Sequence, residues 1–246
     1  MNKPMKKSHF IVLALGVVFC CASTLPQSRP SPETRLTAAE VIAKCAAAMG
    51  GQERIDAVKT LRVGAVYPDH GDTAFVTEIK RPNMSYEASS FLAFDGKQAC
   101  LLKGLDYKSG PKLVDQEDVT DFDVIIASFF PAFFDFPTDY LGAETVEGRE
   151  MHKIRPSLPH GAELVYYIDG RTWLPDKFST RMTIRGQSFG SERGFSDYRN
   201  VAGILYPHGF TYPSRDRKSV LQGRIASVEI NPALDEAHFT IPKTIK

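Results

Sequence analysis

From Thr60 to the end of the chain, apolar and polar residues alternate with period two in one stretch after another, and no long helical run separates them. A period of two puts successive side chains on opposite faces of a strand, so each stretch predicts a strand with one dry face and one wet face. Leu61, Val63, Ala65 and Tyr67 share one face of the first strand. After the turn PDHGD, Phe75, Thr77, Ile79 and Arg81 share a face of the next, with Val76, Glu78 and Lys80 on the other. Phe178, Thr180, Met182 and Ile184 alternate with Lys177, Ser179, Arg181, Thr183 and Arg185, and a further alternating run covers Val220 to Ile230. FDGK at Phe94 to Lys97 and IDGR at Ile168 to Arg171 are Asp-Gly turns between apolar runs, which predict hairpins. Parallel strands need long crossover connections, usually helical, and this chain has none to offer. The sheet is therefore expected to be antiparallel.

Two helical regions interrupt the pattern. Thr37-x-x-Glu40 is a capping box with Leu36 placed to staple onto Val41, so a helix should run from there to Met49 and stop at Gly50-Gly51. A second short helix is expected around Glu53 to Val58. Between Asp118 and Phe130, Val119, Phe122, Ile126 and Phe129, continuing to Phe133, recur at helical spacing. Acidic residues crowd the N-terminal end, where the helix dipole favours them, and Pro131 breaks the run. This helix leads into SFFPAFFDFP, with Phe129, Phe130, Phe133, Phe134 and Phe136. Leaving five such rings in water forgoes about 1.5 to 3 kcal/mol each, so something apolar must cover them. A large one-sided sheet and two helices bury themselves most simply if the sheet curves strongly around the helices. The phenylalanines then fill the concave side, either as ordinary core or as the inner face of a hinged lid.

Net charge is +1, from 30 basic and 29 acidic residues, which excludes the basic surplus that tracks a phosphate backbone; no nucleic-acid partner is expected. The first 23 residues carry three lysines, an apolar run from Phe10 to Phe19 and then small residues, the pattern of a secretory signal. The run is too short for a spanning helix, which needs about 20 residues. Export to the periplasm is expected, with acylation at Cys20 or Cys21 as the competing outcome and a bulky Phe19 against it. Residues 24–36 read as a Pro/Ser-rich linker, and 37–246 as one domain. In an oxidising compartment Cys45 and Cys100 either pair as a disulfide or remain small buried hydrophobes.

No catalytic constellation stands out. GQSFG, Gly186 to Gly190, fits the G-x-S-x-G of a hydrolase, which needs a strand before Ser188 and a helix after it; the following SERGFSDYR reads instead as turn and strand. His70, His152, His160, His208 and His238 form no ligand-spaced pair, so neither a metal nor another cofactor is expected. Asp121 and Asp123 are paired acids, but on a helix N-terminus they answer equally well to the dipole.

IKRPNM, Ile79 to Met84, followed by FDGKQ, Phe94 to Gln98, resembles the LolA-like and LolB-like periplasmic lipoprotein carriers. DEAHFTIP, Asp235 to Pro242, is similar to the closing pattern of that family. YYIDGRTWLP, Tyr166 to Pro175, and SDYRNVAG, Ser196 to Gly203, resemble its outer membrane lipoprotein-sorting relatives. Ser85 stands where an aromatic commonly follows the first motif, and this chain is longer. The resemblance implies a mainly β, α+β fold: an unclosed β-barrel of antiparallel strands with an N-terminal helix and a mid-chain helical lid over an apolar cavity for acyl chains. It also implies that Arg81 latches the lid by bonding its backbone carbonyls.

Together these readings predict a non-enzymatic, monomeric periplasmic carrier for acyl chains of lipoproteins or lipids, exchanging cargo with an envelope membrane protein as donor or acceptor. Phe75, Ile79, Phe122, Ile126, Phe129, Phe130, Phe133 and Phe134 are the expected ligand-binding residues. Alternation alone puts Arg81 on the side of Phe75 and Ile79, near the rim where Pro82 ends the strand. The alternatives are a sensor or scaffold domain of the same fold that binds a partner protein, and a serine hydrolase using Ser188.

Overall fold

The computed structural model describes residues 36–71, 74–103, 110–184, 186–214 and 218–243, and for 117 and 184 the backbone alone. The expected secretory signal and all but the last residue of the linker lie outside the described residues.

Helix α1, Ala38–Met49, starts on the capping box: the Thr37 hydroxyl accepts from the Glu40 amide at 3.3 Å, and the Glu40 carboxylate accepts from the Thr37 amide at 2.8 Å. It ends at Gly50, whose φ of 128° and 2.2 Å clearance from Gly203 O at the Cβ position leave room for glycine only. Helix α2, Gln52–Ala57, follows directly. Six strands come next: β1 Thr60–Val66, β2 Ala74–Lys80, β3 Met84–Glu87, β4 Leu92–Phe94, β5 Ala99–Leu101 and β6 Lys112–Leu113. Helix α3, Thr120–Ala127, is preceded by a 3-10 turn at Gln116–Val119 and followed by another at Ala132–Phe134. The remaining strands are β7 Thr138–Val146, β8 Arg149–Pro156, β9 Glu163–Asp169, β10 Pro175–Ile184, β11 Gln187–Val201, β12 Ile204–Pro213 and β13 Val220–Ile230.

All strand pairs are antiparallel, and among the described residues they form one sheet in the order β6-β5-β4-β3-β2-β1-β13-β12-β11-β10-β9-β8-β7. Each strand thus pairs with its sequence neighbours, and the first pairs with the last. The single missing pairing in this ring is β6 with β7, so the sheet is a curved, unclosed barrel. Residues 114–137, which carry α3 and the phenylalanines, connect those two edges. The helical segment therefore starts from one edge and returns to the other, and between them α3 packs across the concave side against β3 and β10.

One apolar core joins α1 (Val41, Cys45, Met49), the α3 segment and the inner face of the sheet, including Val63, Ile79, Phe94, Leu164 and Phe178. The outer face is less uniformly wet than the alternation predicts. Glu78 is buried, because the C-terminal segment around Phe239 folds back over β3 and β4 and packs on Tyr86 and Ala93. Its carboxylate is satisfied by Arg62 Nε at 2.9 Å and His238 Nδ1 at 2.7 Å. Cys45 and Cys100 do not pair: each is a free, buried thiol, Cys45 on α1 with its Sγ 3.9 Å from Met49 Sδ, and Cys100 on β5. Burial pushes the Cys45 thiol far above its ordinary range, which makes it inert.

Candidate functional site

Helix α3 is apolar on two faces. Val119, Phe122, Ile126, Phe129 and Phe133 point into the core, all 7% exposed or less. The adjacent face carries Asp121, Val124, Ile125 and Ser128, which are again spaced as helix neighbours. This second face forms one wall of a cavity of about 420 Å³. Ala65, Tyr67, Phe75 and Thr77 of the β1–β2 region form the opposite wall, Met182 and Arg193 come from β10 and β11, and His70 and Glu87 also contribute. The lining is mostly hydrocarbon and aromatic, with Tyr67 edge-on to Phe75 and Phe210 at centroid distances of 5.8 and 5.1 Å.

Of the residues expected to bind ligand, Phe75 and Phe129 line this cavity. Ile79, Phe122, Ile126, Phe130 and Phe133 belong to the core beside it, and Phe134 packs on that core from a partly buried position. Their stripe is the deeper one, so the rings are covered by the sheet and the cavity opens on the neighbouring stripe. Val124, Ile125, Tyr67 and Arg193 are cavity residues that the sequence reading missed. The signal for the first two was present, since Val124 and Ile125 interrupt the polar face that an amphipathic helix would need.

The helical segment is held down by polar contacts from the sheet. Tyr166 on β9 donates to Ala127 O at 3.2 Å and accepts from the Ala132 amide at 3.0 Å. Tyr206 on β12 donates to Phe129 O at 2.7 Å. These bonds satisfy backbone groups that the end of a helix leaves without intrahelical partners. At the other end His160 binds Asp123 through both its amide and Nδ1, each at 2.9 Å, and Thr120 donates to His160 O at 2.9 Å. Burial pushes the Asp123 carboxyl up, opposed by its hydrogen bonds from His160.

Arg81 reaches the same segment, but by a different route from the one the resemblance implies. Its Nε and Nη2 grip the Asp135 carboxylate at 3.0 and 2.7 Å, its Nη1 donates to Ile55 O and Val58 O at 2.6 Å each, and its guanidinium lies 4.2 Å from the centre of the Phe130 ring. The backbone carbonyls of the helical segment are taken by Tyr166 and Tyr206, while Arg81 ties a side chain at its end to the carbonyls of the α2 region. Ser188 is exposed on β11, its Oγ 3.3 Å from Thr183 Oγ1 across the β10–β11 hairpin. Gly186 is a turn residue and Gln187 to Gly190 open strand β11, so a strand contains and follows Ser188 where a nucleophile elbow needs a helix. Among the described residues no three His, Cys, Asp or Glu side chains gather as metal ligands would.

Tyr206→Phe is expected to leave Phe129 O buried without a donor and to lower stability by about 1 to 3 kcal/mol. Amide exchange over residues 127–132 should speed up more than exchange in β8 and β9. Equal protection of both regions in the variant would show that the hydroxyl does not hold the segment.

No family model matches the sequence, and no curated protein sequence matches it. Solved structures similar to this chain include a LolA superfamily protein from Nitrosomonas europaea, at 9% identity over 84% of this chain and 98% of the other, with a TM-score of 0.49. A domain named for outer membrane lipoprotein sorting from Vibrio parahaemolyticus is 11% identical over 80% of this chain and 94% of its own, with a TM-score of 0.49. A DUF1329 family protein from Desulfovibrio piger is 11% identical over 82% and 97%, also with a TM-score of 0.49.

Proposed function

We propose that this protein binds an acyl chain in the cavity beneath α3 and carries it reversibly, as a non-enzymatic, periplasmic protein serving lipids or the acyl groups of lipoproteins. The observation that carries this reading is the mostly apolar cavity of about 420 Å³ between the helical segment on one side and residues of β1, β2, β10 and β11 on the other. Its size falls within the roughly 300 to 1,000 Å³ of small-molecule sites. Each methylene moved from water into it contributes about 0.8 kcal/mol. The helical segment is tied to the barrel through the Tyr166 and Tyr206 hydroxyls, the His160 contact with Asp123 and Arg81, and through the apolar stripe from Val119 to Phe133. The segment from Lys80 to Asn83 agrees with this reading through its resemblance to lipoprotein carriers.

Lipid extraction of protein purified from its native envelope should yield a copurifying lipid or acylated peptide. The neutral fluorophore N-phenyl-1-naphthylamine should bind and be displaced by long-chain amphiphiles. Ile125→Trp, which fills the cavity from its α3 wall, is expected to weaken probe binding at least about tenfold while the protein stays folded. Undiminished probe binding in that variant, or repeated absence of lipid together with no probe binding, would overturn the assignment.

A further inference from the structure

Arg193 stands on the dry side of the sheet. It lies opposite Phe178 in the β10–β11 register and two residues before Phe195, so the three share the concave face. Both neighbours are apolar: Phe178 is fully buried, and Phe195 packs against it at 5.6 Å between centroids. The guanidinium carbon is 3.9 Å from the centre of the Phe210 ring and 5.6 Å from that of Phe129, and the side chain lines the cavity. Aromatic rings stabilise a guanidinium through their π-faces, but they are poor substitutes for acceptors of its in-plane N–H groups. Arg193 Nε and Nη2 are both withdrawn from solvent, and neither has a hydrogen-bond partner. Leaving a buried charged donor without an acceptor is expensive, and a fold keeps such a group where something else completes it.

These two nitrogens are not an arbitrary pair. Nε and Nη2 form one edge of the guanidinium, the edge that meets two oxygens of a carboxylate or phosphate side by side. Two acids share the cavity wall, but no ion pair joins Arg193 to a carboxylate among the described residues. Glu87 accepts instead from the hydroxyls of Ser89 and Ser90 at 2.7 Å each, and burial together with neighbouring Asp118 pushes the Asp121 carboxyl up, towards its neutral form. The geometry points to an anionic amphiphile as the ligand: an apolar chain in the cavity whose carboxylate or phosphate oxygens bind Arg193 Nε and Nη2. This rests on the acyl-chain reading of the same cavity and adds the charge of the head group.

The test is displacement of bound N-phenyl-1-naphthylamine by dodecanoate, dodecyl phosphate, dodecanol and inorganic phosphate, on the parent and on Arg193→Met. In the parent, dodecanoate or dodecyl phosphate should displace the probe at a concentration about tenfold or more below that of dodecanol. In Arg193→Met that advantage should vanish while dodecanol binds as before. The empty variant should melt at the same temperature as the parent or higher, since it buries no unpaired charge. Equal potency of acid and alcohol in the parent, or an advantage that survives in Arg193→Met, overturns the head-group site and leaves the acyl-chain reading standing. Failure of every chain to displace the probe overturns both. Thermal stabilisation of the parent by inorganic phosphate alone, lost in Arg193→Met, would make this a free-anion site and overturn the amphiphile. Should Arg193→Met not fold, Arg193→Lys serves, with the acid advantage reduced because an ammonium cannot offer the paired edge.

Discussion

Arg81→Leu is expected to lower the stability of the empty protein by about 3 to 5 kcal/mol, and to speed both entry and release of an acyl probe in whatever fraction stays folded. The Arg81 and Asp135 side chains are 9% and 14% exposed, so the variant leaves a largely buried carboxylate without its counter-ion. It also takes the donor from Ile55 O and Val58 O, loosening α2 from the first sheet strands. The size of this effect departs from a simple latch, whose removal would open the lid and cost little else. Asp135→Leu separates the two roles, because it frees the end of the helical segment while Arg81 keeps its grip on the α2 region. If the tie to Asp135 restrains the segment, probe exchange should quicken in Asp135→Leu, and the double variant should be less destabilised than the two single losses added together. Strict additivity in urea unfolding, with parental probe kinetics in Asp135→Leu, would show that Arg81 braces α2 alone.

Most of the fold was legible in the sequence because its determinants are local. The capping box at Thr37 and Glu40, the Asp-Gly turn at Asp95, and the alternation from Val220 to Ile230 each depend on residues within one element, and each appears where expected. Glu78 was misjudged as solvent-facing because what covers it, Phe239 and His238, arrives from far along the chain. The site was half legible for the same reason. Phe122, Ile126 and Phe129 announce a buried stripe, but periodicity says only that two faces of α3 differ, and not which one borders empty space. Arg81 was placed on the inner side by alternation, whereas its acceptors depend on where α2 and Asp135 come to rest. Arg193 was open to the same alternation argument, since it stands two residues before Phe195. What the sequence withholds there is the absence of any acceptor, which exists only once the barrel has curved around it.

Alkaline pH should unfold this protein in a steep transition, and the slope should report on the contacts that hold the helical segment. Tyr166 and Tyr206 are enclosed in the core and Tyr198 is partly buried, and burial pushes all three phenols well above the ordinary value of 10.0. In the unfolded chain they ionise near pH 10, while in the folded protein they stay protonated. Above pH 10 the unfolded state therefore binds fewer protons than the folded state, and stability falls as pH rises; below pH 10 the two states bind alike and these groups have no effect. Each such phenol contributes a loss of about 1.4 kcal/mol per pH unit, so the three together remove about 4 kcal/mol per unit. A domain stability of about 5 to 15 kcal/mol would be exhausted within roughly one to four units above pH 10. Tyr166 and Tyr206 donate to Ala127 O and Phe129 O, and Tyr198 donates to Pro175 O at 2.6 Å, so ionising any of them in place would turn a donor against a carbonyl. Urea midpoints followed from pH 8 to 11 should be flat to about pH 10 and then decline, and Tyr206→Phe should remove one phenol's share of the decline, about 1.4 kcal/mol per pH unit, while lowering the plateau. Near-ultraviolet absorbance of tyrosinate should rise first from the partly buried tyrosines Tyr67, Tyr140 and Tyr167 and then in one step together with loss of the sheet signal. Should all nine tyrosines titrate smoothly near pH 10 with the sheet intact, the Tyr166 and Tyr206 hydroxyls are not sealed in the core, and their hold on the helical segment is not as tight as the geometry requires.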